Sequence, residues 1–224
     1  MTALANRGTH LSGPVLVIGT GLLGASIGLG LRARGIDVVL SDISPSTAAV
    51  AKDIGAGRLL DDAEEGFAPQ LVVIAAPPDV TASLAARALK DWQCAVVVDI
   101  ASVKAAVLAD LRATGVDLAR YVGTHPMAGR EKSGPVAALG DLFMSMPWVI
   151  CAGEESSPEA VKTAEALAID LGAVVSRMSA DDHDASVALI SHLPQVMSSL
   201  VASRLQETPP SALALAGNGL RDVT

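Results

Sequence analysis

Short uncharged runs, each closed by a glycine, a proline or an acid, recur along most of the chain. Val15-Leu16-Val17-Ile18, Leu71-Val72-Val73-Ile74-Ala75 and Ala95-Val96-Val97-Val98-Asp99 are the clearest. They lack polar–apolar alternation, which predicts strands buried on both faces, as in a parallel sheet covered by helices. Residues 37–42, 58–60, 121–124, 148–151 and 173–177 read as further strands. Between them the pattern predicts a helix running to Arg32 and Arg34 and ended by Gly35, then helices over 44–53, 80–90, up to Ala113, and 158–171. Ser44-Pro45 is a cap residue followed by a first-turn proline, and Gly55 and Gly57 stop that helix. From Asp181 to Leu205 the chain reads as one long helix, with a kink or local break at Pro194, which has no N–H to donate. Pro209-Pro210 opens a last short helix, and residues 1–13 read as a loose arm.

The first strand passes without a spacer into Gly19-Thr20-Gly21-Leu22-Leu23-Gly24. Glycines at this spacing permit the tight turn, the approach of a pyrophosphate to the backbone, and close helix–strand packing. The free N–H groups and positive dipole end of the following helix then face the phosphates. Asp42 lies where the second strand ends, placed to bond the adenosine ribose hydroxyls and to repel a 2′-phosphate, so NAD is expected over NADP. A turn or cap role for Asp42 is the plainer alternative, and both could hold. The fold class is therefore α/β: a Rossmann-type doubly wound sheet over residues 1–178, followed by the start of an all-helical domain over 179–224. Residues 15–31 carry no charge, but five glycines and no cleavage site argue against a membrane span or signal.

Half the residues are hydrophobic and only 2% aromatic, so the core must be built from Ala, Val, Leu and Ile. The formal charge of −8 argues against nucleic acid or an anionic membrane as partner. Cys94 and Cys151 have no metal-ligand spacing and read as inert buried thiols of a reducing, cytoplasmic compartment. His183 and His192 are nine positions apart, off the i, i+4 spacing of helical metal ligands, and no metal site is expected.

Candidate chemistry gathers where strands end. Ala76-Pro77 stops the 71–75 strand at the edge where open α/β sheets bind ligands, and Ser102 follows the 95–99 strand. Ser102 by itself reads more simply as a helix cap. His125 closes the 121–124 strand ahead of a proline and a glycine-rich loop, a suitable place for a general base. The Arg130-Glu131-Lys132 cluster reads as either a solvated loop or an anion-binding lid.

Taken together, Gly19–Ser26, Asp99-Ile100-Ala101-Ser102-Val103-Lys104, His125-Pro126-Met127-Ala128-Gly129-Arg130-Glu131-Lys132-Ser133-Gly134, His183-Asp184 and Ser191-His192-Leu193-Pro194 resemble the prephenate/arogenate dehydrogenase family of tyrosine biosynthesis. The resemblance implies NAD-dependent oxidative decarboxylation of prephenate or arogenate by a cytoplasmic homodimer. It implies His125 as the group taking the hydroxyl proton, Ser102 orienting it, and Glu131 in the gating network. His183, Ser191 and His192 would line the substrate side from the helical domain. The family segment commonly ends in histidine where this chain has Gln195, which leaves prephenate and arogenate both open. The family pattern also continues beyond Thr224 into a carboxylate-binding arginine and dimer helices, so the helical domain is expected to be truncated. Two other readings stand beside this one: another reductase with the same nucleotide domain, or a non-catalytic NAD-binding module.

Overall fold

The computed structural model describes residues 8–221; the first seven positions of the expected arm, and Asp222, Val223 and Thr224 of the glycine-rich end, lie outside the described residues. The described residues up to Ala180 form one compact unit and those from Asp181 to Arg221 a second. In the first, strands β1 (Val15–Ile18), β2 (Val38–Ser41), β3 (Arg58–Leu59), β4 (Leu71–Ile74), β5 (Val96–Asp99), β6 (Tyr121–Pro126), β7 (Pro147–Cys151) and β8 (Val174–Arg177) form one sheet in the order 3-2-1-4-5-6-7-8. Helices α1 (Leu22–Arg32), α2 (Pro45–Asp53), α3 (Pro78–Asp91), α4 (Ala105–Ala113) and α5 (Pro158–Asp170) cover it.

The core explains why the strands show no alternation. Val15, Val17, Val73, Val98 and Val122 pack with α1 and α5 on one face. Leu16, Val72, Ile74, Val97 and Tyr121 pack with α3 and α4 on the other. Successive side chains of a strand point to opposite faces, and here both faces are dry. The only two phenylalanines and two tryptophans of the sequence meet in pairs, Phe143 lying edge-on to the buried Trp148 at 5.1 Å between ring centroids.

Several expectations need correction. The sheet is not wholly parallel, because β6 and β7 run antiparallel, with His125 opposite Val149 and Pro126 opposite Trp148. β6 accordingly carries His125 and Pro126 inside the ladder instead of ending at Thr124. The arm is not loose at its described end: the backbone N–H groups of His10 and Leu11 donate to the buried Asp170 carboxylate at 3.0 and 2.9 Å, and Leu11 is buried. Cys94 is exposed, since β5 begins only at Val96 and leaves it in the preceding turn; Cys151 is buried as expected.

The second unit holds α6 (Ala180–Val187), a π-helical turn (Ala188–His192) and α7 (Leu193–Leu205), then α8 (Pro210–Leu213) and α9 (Asn218–Arg221). The break expected at Pro194 takes the form of that π turn. Proline cannot donate to the carbonyl four residues back and its ring collides with it; a wider turn just upstream accommodates both faults. By length and composition alone Ala180–Leu205 is apolar enough to cross a membrane.

Candidate active site

The parallel register levels the strand ends. Ile18 pairs with Ser41 and with Ile74, Ile74 with Asp99, and Asp99 with Gly123. Gly19, Asp42, Ala76, Pro77, Ser102 and His125 all follow these levelled positions, so they share the carboxyl edge of one sheet. The order of strands reverses between β1 and β4, which makes that crevice the switch point where open α/β sheets take ligands.

Each glycine of the loop has its own reason. Gly19 has φ +99°, and a Cβ there would stand 2.2 Å from the Ala75 carbonyl oxygen. A Cβ on Gly24 would stand 1.9 Å from the Gly19 carbonyl oxygen, so helix and strand could not close up. Gly21 differs: beyond its own chain neighbours, nothing lies within 4 Å of where its Cβ would be. Protein packing does not demand a glycine at the head of α1, whereas an approaching pyrophosphate does. The residues present fit a dinucleotide.

Asp42 serves the protein as well as any ligand. Its Oδ2 accepts from the Thr20 backbone N–H at 2.6 Å and from the Thr20 hydroxyl at 2.8 Å, and its Oδ1 from the Ser44 N–H at 2.8 Å. The turn role is therefore real: Oδ2 already accepts two hydrogen bonds, while Oδ1, with one, keeps acceptor capacity for a ribose hydroxyl. Ser44 caps α2 by accepting from the Thr47 N–H.

Ser102 is exposed and His125 half-buried, on neighbouring strand ends. The cap role considered for Ser102 fails, because α4 starts at Ala105 with Lys104 at the cap position. Glu131 is exposed in the loop after β6. In the helical unit, His183 is buried with its Nδ1 2.7 Å from Asp184 Oδ1. Ser191 and His192 belong to the π turn, and Gln195 to the first turn of α7; all three are exposed. Among the described residues no cluster of three potential metal ligands occurs.

One contact under this edge escaped sequence reading, although Asp99 and Lys104 belong to a motif quoted above. Lys104, Asp99 and Tyr121 are buried, and Asp99 is bonded to both of the others. Burial, then the adjacent Asp99 charge, pushes the Tyr121 hydroxyl well above the usual tyrosine range. The one available signal was an acid at the end of an apolar strand with a lysine five positions on.

Residues 27–177 match the family profile described as "Prephenate dehydrogenase, nucleotide-binding domain", and residues 179–224 match "Prephenate dehydrogenase, dimerization domain". The chain belongs to the prephenate dehydrogenase family. The first match starts after Gly24, so the glycine loop is recognised by its own geometry, independently of the profile. A probable prephenate dehydrogenase of Streptomyces niveus, NovF, is 39% identical over 91% of this chain and 55% of its own length. The prephenate dehydrogenase of Bacillus subtilis is 28% identical over 94% of this chain and 59% of its own length. The chain thus spans a little over half of these curated relatives. Among solved structures, prephenate dehydrogenase from A. aeolicus, in complex with hydroxyphenyl propionate and NAD+, superposes with a TM-score of 0.81 at 28% identity, covering 96% of this chain and 78% of that one. Synechocystis arogenate dehydrogenase gives 0.75 at 27% identity, covering 94% and 77%. This prephenate dehydrogenase family member is therefore similar to proteins named for either substrate.

Proposed function

We propose that the protein oxidatively decarboxylates prephenate, or its amino-acid counterpart arogenate, in tyrosine biosynthesis. The observation that carries this reading is the shared edge: a dinucleotide cradle with a serine and a histidine on adjacent strand ends beside it. NAD+, when bound, would supply the hydride acceptor. Gly19–Gly24 would hold its pyrophosphate and Asp42 its adenosine ribose, with Ala76 and Pro77 walling the crevice. His125 takes the proton of the ring 4-hydroxyl as hydride leaves the same carbon, and Ser102 bonds that hydroxyl and orients His125. Loss of the ring carboxylate as CO2 completes aromatisation, and the ring oxygen takes back a proton to give the phenol. Glu131 belongs to the gating loop, and His183, Ser191, His192 and Gln195 to the substrate side. We assign the reaction to the cytoplasm, where unpaired thiols such as Cys94 persist.

The helical unit is read as a self-association surface. Leu189, Ile190, Leu193, Val196, Met197 and Leu200 are each at least half exposed and recur at three- and four-residue spacing. An apolar stripe of this kind marks a partner-facing side, and the dimerization profile covers the same residues.

The deciding experiment follows NADH formation with purified protein, NAD+ and each substrate in turn. Turnover of at least one is expected, with NADP+ a poorer oxidant. NAD+ binding without turnover of either would leave a nucleotide-binding module and remove the proposal.

A further inference from the structure

The chemistry proposed above makes no use of the ion pair beneath it. Lys104 and Asp99 are 2% and 0% exposed. The Lys104 ammonium donates to Asp99 Oδ1 and, at 2.7 Å, to the backbone carbonyl of Thr124, the residue before His125. Asp99 also accepts from the Ala101 N–H at 2.9 Å and from the Tyr121 hydroxyl at 2.6 Å. In return the Thr124 hydroxyl donates to the Asp99 carbonyl at 2.7 Å. The turn 99–104 contains Ser102, so these bonds tie the turn that bears the serine to the strand that bears the histidine.

Stability does not account for such a pair. Taking both charges out of water is costly, and apolar replacement of a buried pair is often neutral or stabilising. What an ammonium adds is direction: donors that fix a carboxylate and a carbonyl from two segments at one point. We propose that Lys104 is a positioning residue, whose bonds to Asp99 and Thr124 set the placement of Ser102 relative to His125. The role rests on the assignment of those two side chains to the reaction.

The test removes both charges together, because Lys104→Met alone would strand the Asp99 carboxylate. In Asp99→Asn/Lys104→Met, folding and NAD+ affinity should stay close to wild type, since the glycine loop and Asp42 sit on β1 and β2. Turnover should fall roughly tenfold to a hundredfold, the scale of a small misplacement, with KM little changed. Equal losses in turnover and NAD+ affinity, or wild-type turnover, would overturn the proposal. A second readout needs no turnover. The chain has four histidines, so the His125 ring signals can be assigned in an NMR titration by their absence in His125→Asn. Their titration should move in the double variant while those of His10, His183 and His192 overlay wild type. An unchanged His125 titration overturns the positioning role. A wild type inactive on both substrates removes only the proposed reaction, and the titration still decides the role of Lys104. If the double variant does not fold, Tyr121→Phe, which loosens Asp99 without removing a charge, is read the same way: a moved His125 titration supports the network and an unchanged one overturns it.

Discussion

At the scale of single residues, His125 carries the sharpest expectation. A neutral imidazole accepts the hydroxyl proton, so kcat should fall on the acid side as the ring is protonated. His125→Asn keeps a polar group and removes the base, and kcat should drop roughly 10²–10⁴-fold, the usual contribution of a positioned acid–base group. NAD+ affinity, measured by titration on the same variant, should hardly change; equal losses in both would make His125 a structural residue. Asp42 should behave differently because it has two tasks. Asp42→Ala should narrow the preference for NAD+ over NADP+ and also lower the melting temperature, since Thr20 and Ser44 lose a charged acceptor. Hydrogen bonds to charged groups are worth about 1.5–3 kcal/mol each. A wild type indifferent to the 2′-phosphate would remove Asp42 from the ribose. The edge positions of Gly19, Asp42, Pro77, Ser102 and His125 were legible because glycine, proline and acids mark strand ends. Lys104 was not: a lysine near a helix start reads as solvated until its partners on β5 and β6 are known.

At the scale of elements, β1, β4 and β5 were legible because an all-apolar β-branched run bounded by turn residues has few other uses. Strand direction was not, since nothing in a run such as Trp148–Cys151 says which way it pairs; the antiparallel β6–β7 contact emerges only from the fold. The π turn shows the same limit, because Pro194 announces a fault without stating its form. The junction of β5 and β6 also makes a test. Tyr121 is the single tyrosine of the chain, and burial and Asp99 raise its pKa. The unfolded chain loses that proton near pH 10, at about the usual tyrosine value, while the folded chain keeps it. The group's contribution is therefore fully present below about pH 10 and is lost as pH rises toward the folded value. Tyrosinate absorbance should appear together with loss of circular dichroism, not as a separate earlier titration. Tyr121→Phe should flatten the decline of stability above about pH 10. Free titration of Tyr121 in the folded protein would contradict its bond to Asp99.

At the scale of the whole molecule, the two units differ in how they satisfy their apolar surface. The sheet unit buries it between helices on both faces, whereas the α6–α7 stretch leaves six large apolar side chains from Leu189 to Leu200 at least half exposed. Length and apolar composition would also suit a membrane, but the family match over 179–224 favours a second copy of the chain. Sedimentation should therefore show concentration-dependent self-association. Leu200 lies in the middle of α7, where an added charge disturbs no described core contact. Leu200→Lys should leave the fold and NAD+ binding intact and weaken association by about 30-fold, the equivalent of roughly 2 kcal/mol for a central contact. A wild type that stays monomeric at high micromolar concentration, yet sediments with lipid vesicles, would assign the stripe to a membrane. If the variant associates as tightly as wild type, the stripe is not the interface, and the proposed contact between copies must lie elsewhere.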